Sequence, residues 1–281
     1  MKVEKPMAER VAPYTPNQIG FGTVRFSSKG IFDTHKDKMV DPYAATRIPK
    51  EAQVEGVQYW PQEKGIYPSI VLLHEKWGLT TQVKDIAARL ACEGFVVLVP
   101  NLYGRQGGMI TANAEVADAL VERMDIPAVL QDINASCEFL NANIAEDASL
   151  DLTKRNSHAV IGFGLGGTLA IQFACRRKRL RAAVSFYGKP PSSLDGITKI
   201  YCPILYHAAE FDDTVTSDEL EKMRHAIEEA DKSCNIQFYP GTKHGFFNPT
   251  RPDLYDAHAA DQAWEATLDF LQKFLNVRGS A

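Results

Sequence analysis

The stretch from Ser157 to Leu169, SHAVIGFGLGGTL, constrains the fold more than any other part of the chain. Ala159-Val160-Ile161 is an apolar run suited to a buried strand. A Gly-rich turn follows at once, and the residues from Leu165 onward suit the start of a helix. This is the frame of a nucleophile elbow, G-x-Nuc-x-G, in which a sharp strand-to-helix turn lifts a reactive side chain above a sheet. Gly162 and Gly166 flank the turn, but the nucleophile position itself is Gly164, which has no side chain. The frame of a hydrolytic site is present without its usual attacking atom.

Around this elbow, strand and helix patterns alternate. Val54 to Trp60 reads as an edge strand, and Ile66 to Leu73 as a strand running into His74-Glu75. Helical spacing over Thr81 to Cys92 ends at Gly94, and Phe95 to Val99 is a continuous apolar strand of the buried parallel kind. Asn113 to Met124 and Pro127 to Asn143 read as helices. The elbow strand and its helix, Leu165 to Cys175, come next, then a strand over Leu180 to Phe186. Strands at Ile204 to His207 and Ile236 to Tyr239 bracket a helix from Ser217 to Ala230, and Ala259 to Leu275 is the last helix. Such alternation predicts right-handed βαβ units, one mostly parallel sheet and helices on its faces. Residues 1–50 lack this periodicity and are rich in Pro and Gly, apart from a candidate strand at Gly20 to Phe26. They read as an N-terminal arm lying on the main domain of residues 51–281 or on a second copy of the chain, as in a homodimer.

A net charge of −4 with scattered cations gives no basis for nucleic-acid binding or an anionic membrane surface. No apolar run approaches the roughly 20 residues of a membrane span, and MKVEKPMAERVAPYT lacks the apolar core of a Sec signal. Cys92, Cys137, Cys175, Cys202 and Cys234 are spaced for neither zinc nor a disulfide framework. Reduced, mostly core thiols and a cytoplasmic setting are the expectation, with no cofactor and no metal.

In an open parallel sheet, ligands bind beyond the carboxyl ends of the strands. The residues at those ends are His74-Glu75-Lys76-Trp77, Asn101 to Arg105, Gly164-Leu165, Tyr187, Asp212-Asp213 and Lys243-His244. The chain order elbow, acid, histidine is that of a Ser-type triad on this kind of sheet. Asp212, in FDDTV, would fix the tautomer of His244, in GTKHGFF, and His244 would act as general base.

PSIVLLHEKWGL, VPNLYGRQGG, IGFGLGGTLA, VSFYG, FDDTV and GTKHGFF, in this order, resemble the dienelactone hydrolase family from about Val54 to the end. The resemblance implies an α/β-hydrolase fold and a site for cleaving a small lactone or ester. In that family the elbow residue is a cysteine, which a glutamate contacts, and arginines hold the substrate carboxylate. By resemblance Glu75 is that glutamate, Arg105 the first such arginine, and Asp212 and His244 the acid and base. Tyr103, Trp77 and Tyr187 would line the pocket, and the backbone N–H groups of Lys76 and Leu165 would form the oxyanion hole. Three departures stand out. Gly164 replaces the cysteine, Asn248 stands where a second carboxylate-binding arginine is expected, and Lys76 occupies a usually apolar position. Arg105, Lys76 and Glu75 together suggest a polar or anionic small molecule.

A glycine cannot form an acyl-enzyme. Three readings remain: hydrolysis by water that His244, with or without Glu75, activates; a non-catalytic binding or sensing protein on the same scaffold; or a metal hydroxide held by His74, Glu75 and His244, for which the sequence offers no third strong ligand on one face.

Overall fold

The computed structural model describes residues 10–28, 52–142, 153–191, 193–194 and 196–275. Eight strands form one sheet in the order β1-β2-β4-β3-β5-β6-β7-β8. They span β1 Ile19–Ser28, β2 Ala52–Pro61, β3 Tyr67–Leu73, β4 Val96–Pro100, β5 Thr153–Phe163, β6 Leu180–Phe186, β7 Ile204–Phe211 and β8 Cys234–Lys243. β1 pairs antiparallel with β2, and β2 antiparallel with β4; the remaining pairs are parallel. The helices are α1 Thr81–Cys92, α2 Ala114–Glu122, α3 Ile126–Asn141, α4 Leu165–Ala174, α5 Ser217–Glu229 and α6 Ala257–Leu275. This is the α/β-hydrolase architecture expected from the sequence.

The continuous apolar runs have a simple cause. Successive side chains of a strand point to opposite faces. Val71 and Leu73 of β3 enter a core built with α3, α4 and α5, while Ile70 and Leu72 enter a second core built with α1 and α6. Because helices cover both faces, β3 and β4 have no solvent-facing positions for polar residues.

The segment read as an N-terminal arm contributes to this sheet. Residues 19–28 are its first strand, in register with residues 52–61. Ahead of β1, the Tyr14 N–H donates to the Cys92 carbonyl at 3.0 Å, and Arg10 pairs with Glu265 and Asp269 of α6 at 3.2 and 2.7 Å. Residues 1–9 and 29–50 of the expected arm, and Asn143 of the expected helix, lie outside the described residues.

The strand order reverses between β3 and β5, since β4 lies to one side of β3 and β5 to the other. That switch point opens a crevice beyond the strand ends. Glu75 follows β3 and Gly164 follows β5, so the two flank the crevice.

Candidate active site

The elbow is built by close backbone approach. A Cβ at Gly162 would lie 2.0 Å from the Gly166 carbonyl oxygen, and one at Gly166 would lie 2.3 Å from that of Leu73. Both neighbours are backbone, so neither position admits a side chain. Gly164 differs. Its Cβ would sit 3.7 Å from His244 Nε2, 3.9 Å from Glu75 Cγ and 4.0 Å from Tyr187 Cε2, all ordinary contact distances. Its backbone holds the sharp turn, with φ 50° and ψ −113°, and its N–H donates to the Phe186 carbonyl at 3.0 Å. Packing therefore imposes two of these glycines, while at residue 164 the site leaves room for a side chain.

His244 faces that room. Its Nδ1 lies 2.9 and 3.1 Å from the two oxygens of Asp212, a nearly buried carboxylate. Asp212 is in turn fixed by the N–H groups of Thr214 and Val215, at 2.8 and 2.9 Å to Oδ1. An ionised carboxylate only accepts, so Nδ1 carries the proton and Nε2 is the free base on the side of Gly164. The acid–base pair predicted from the sequence is thus assembled from the ends of β7 and β8.

Glu75 is buried beside Gly164 and held from both sides. The Tyr187 hydroxyl donates to Oε1 at 2.8 Å, and the Asn248 amide donates to Oε2 at 3.1 Å. Burial and the Glu75 carboxylate push the Tyr187 phenol well up, so it remains a donor. Tyr187 takes a positive φ of 43°, a conformation rare for a side chain of its size, while its N–H is anchored on the His207 carbonyl at 2.8 Å. Asn248, expected at a substrate carboxylate, is thus occupied in orienting Glu75. Its Oδ1 also accepts from the Thr250 N–H and hydroxyl, which fixes which end of the amide faces the glutamate.

The loop carrying Glu75 and Lys76 is locked from beneath. Buried His74 lies 2.6 Å from the Glu75 carbonyl through Nδ1, and its Nε2 accepts from the Leu102 N–H at 3.1 Å. The second contact assigns the proton to Nδ1. Burial lowers His74 to about 4, so the ring is neutral. Both nitrogens are engaged, which removes His74 as a metal ligand; among the described residues no cluster of three His, Cys, Asp or Glu side chains suits a metal ion. Tyr103, expected to line the pocket, is fully buried, and its hydroxyl donates to the Lys76 carbonyl at 2.9 Å. It fixes the strand-end loop from behind.

The cations also have partners. Arg105 makes a two-pronged pair with Asp132 of α3, at 2.8 Å from Nε and 2.7 Å from Nη2, and both side chains are mostly buried. The hydrogen bonds from Asp132 raise the Arg105 pKa, so the guanidinium is held charged. The fork expected to take a substrate carboxylate thus already holds one of the protein's own. Lys76 reaches outward to Asp118 of α2 at 2.6 Å. Lys76 and Arg251 sit 5.1 and 5.7 Å from the ring centre of Trp77, and Arg251 also pairs with Asp253 at 3.2 Å. No sequence signal marked Asp132 or Asp118 as partners, because each lies in a helix distant along the chain from the cation it binds.

No thiol substitutes for the missing nucleophile. All five cysteines are free; burial pushes Cys137 and Cys175 up to about 11, and Cys202 and Cys234 up to about 12. Leu165 is the first residue of α4, so its N–H lacks an intrahelical acceptor and is available to an oxyanion.

Comparison with known proteins gives the family and the fold. The model of the dienelactone hydrolase family matches residues 54–275. A Bradyrhizobium sp protein named "Probable 2-oxo-3-(5-oxofuran-2-ylidene)propanoate lactonase" is 30% identical over 222 residues, covering 75% of this chain and 86% of that protein. "Protein usf" of Aquifex pyrophilus is 32% identical over 218 residues, covering 74% and 89%. Among solved structures, a dienelactone hydrolase-like promiscuous phosphotriesterase from metagenomic libraries superposes with a TM-score of 0.74 at 18% identity, covering 92% of this chain and 99% of that one. With residues 54–275 matched by that family's model and a relative 30% identical over most of both chains, the chain belongs to the dienelactone hydrolase family.

Proposed function

We propose that the protein hydrolyses a small ester or lactone with water in place of the missing nucleophile. Membership of the family supports lactone or ester hydrolysis as the activity class. The observation that carries the mechanism is His244 Nε2, free, oriented by Asp212 and 3.7 Å from where a Cβ of residue 164 would stand. A water at that place gives up a proton to Nε2 as its oxygen attacks the substrate carbonyl carbon. The negative charge developing on the carbonyl oxygen is taken up by the N–H groups of Lys76 and Leu165. As the tetrahedral intermediate collapses, the C–O bond to the leaving oxygen breaks. That oxygen receives the proton from the His244 imidazolium, giving a carboxylic acid and an alcohol. For a lactone both products remain in one hydroxy acid. Asp212 stays ionised and stabilises the imidazolium.

General-base assistance of this kind is worth about 10²–10⁴-fold. The experiment is a screen of chromogenic esters and lactones with wild type and His244→Ala. Turnover should fall by about 10²–10⁴-fold in the variant. Equal turnover in both proteins would remove His244 from the mechanism.

One observation favours a second reading, a non-catalytic binding protein. Both oxygens of Glu75 are tied to donors of the protein, and glycine at φ 50° relieves the strain that a nucleophile there would carry. Absence of turnover in wild type together with its appearance in Gly164→Cys would establish that reading.

A further inference from the structure

We propose that the substrate of this site is electrically neutral, an uncharged ester or lactone with an apolar substituent, and that carboxylate-bearing substrates are rejected. This rests on the hydrolytic reading above. Three positions were candidates to meet a substrate carboxylate, and each of them, like nearby Arg251, has another assignment. Arg105 is closed on Asp132 through two hydrogen bonds of 2.8 and 2.7 Å. Position 248 carries an uncharged amide whose N–H₂ faces Glu75 and whose oxygen faces Thr250. Lys76 is drawn outward to Asp118 at 2.6 Å, and Arg251 lies between Asp253 and the face of Trp77.

Besides the imidazole of His244, two carboxylates stand close to Gly164. Glu75 places Cγ 3.9 Å from the seat at residue 164, and nearly buried Asp212 stands directly behind His244. Among the described residues, Glu75 is held by two neutral donors and by no cation. An anion entering here meets two carboxylates, and like charges repel.

The rim supports the same substrate class. The 109–111 segment lies against the loop after β3: the Thr111 N–H donates to the Trp77 carbonyl at 3.1 Å, and a Cβ at Gly78 would strike the Met109 carbonyl oxygen at 2.5 Å. Met109 and Ile110 in this segment are about half exposed, at 47% and 54%. Both are uncharged side chains that offer apolar contact on the segment bonded to the Trp77 loop.

The test uses pairs that differ only by a methyl group against a carboxylate. 4-Nitrophenyl butyrate and 4-nitrophenyl hemisuccinate are compared as kcat/KM, each after subtraction of its uncatalysed rate. The butyrate should be favoured by at least about tenfold, the equivalent of about 1.4 kcal/mol. Added salt should raise the hemisuccinate rate and leave the butyrate rate unchanged. Asp132→Ala, which releases the Arg105 guanidinium, should narrow the gap; if that variant does not fold, the wild-type ratio still decides. Equal rates or a hemisuccinate preference would overturn the proposal. If neither ester is turned over, hydrolysis itself fails, and binding decides the charge question. Saturation-transfer NMR on wild type should then show γ-valerolactone bound and its 5-carboxylate analogue not bound. Binding of the carboxylate alone, of both equally, or of neither overturns the proposal.

Discussion

Gly164→Cys is the most informative single change, because the geometry predicts its stability and its chemistry separately. Three neighbours would contact the new Cβ at 3.7 to 4.0 Å, so no backbone or core group has to move. The penalty is conformational, from a non-glycine residue at φ 50° and ψ −113°. Such strain costs about 1–3 kcal/mol, and for a domain near this size each kcal/mol lowers Tm by about 2–4 °C. A loss of about 2–12 °C is therefore expected. Gly162→Ala is the contrasting case. Its Cβ would lie 2.0 Å from the Gly166 carbonyl oxygen, a clash between two backbone segments. That substitution belongs with the exceptional losses of more than about 4 kcal/mol. In chemistry, the new thiol sits beside His244 Nε2 and can attack the carbonyl directly. Deacylation then uses the same His244-activated water as wild type. The gain should thus appear as a burst of one 4-nitrophenolate per chain, at least about 10²-fold faster than the wild-type steady rate. Stopped-flow absorbance measures the burst, intact-protein mass spectrometry detects the acyl adduct, and thermal unfolding gives the Tm. If Gly164→Cys unfolds as readily as Gly162→Ala, or if it folds but forms no adduct with any ester that fits, the view of residue 164 as an open seat for a nucleophile is wrong.

Other measurements probe the supports of the site. Tyr187→Phe removes one of the two donors to buried Glu75 and should cost about 1.5–3 kcal/mol in urea unfolding; an unchanged midpoint would mean that this bond does not hold the glutamate. Burial lowers His74 and His158 to about 4 and His207 to about 3, from an ordinary value of 6.5. The unfolded chain binds these protons below pH 6.5 while the folded chain does not, so stability is complete above that pH and falls as pH drops toward 4. Each histidine contributes up to about 1.4 kcal/mol per pH unit across that window, and urea unfolding at pH 7 and pH 5 should show a marked loss. Equal stability at the two pH values would contradict neutral burial of the three rings. Finally, EDTA should leave ester hydrolysis unaltered, because both His74 nitrogens and His244 Nδ1 already have protein partners; loss of turnover restored by a divalent metal would contradict this.

Much of this protein was legible in the chain itself. The alternation of strands and helices and the elbow at Gly164 follow from local patterns: apolar runs of strand length, glycines where backbones cross, and helical spacing between them; the strand order that reverses between β3 and β5 does not. The Asp212–His244 pair was legible too, because each follows a strand whose end must point into the crevice. β1 was only half visible, as Gly20 to Phe26, because an edge strand beside β2 buries few residues and so leaves a weak apolar signature.

The partners of the charged and polar site residues were not legible. Arg105 with Asp132, Lys76 with Asp118, and Asn248 with Glu75 are 27, 42 and 173 residues apart. A residue type and its strand-end position tell that a side chain stands near the site, but not which group it bonds. Hydrogen bonds act over about 3 Å, a distance that only the packing of separate helices and loops determines. The sequence therefore determined where chemistry can occur and that residue 164 brings no atom to it. The tertiary structure decided that the neighbouring cations are already paired with carboxylates of the protein itself.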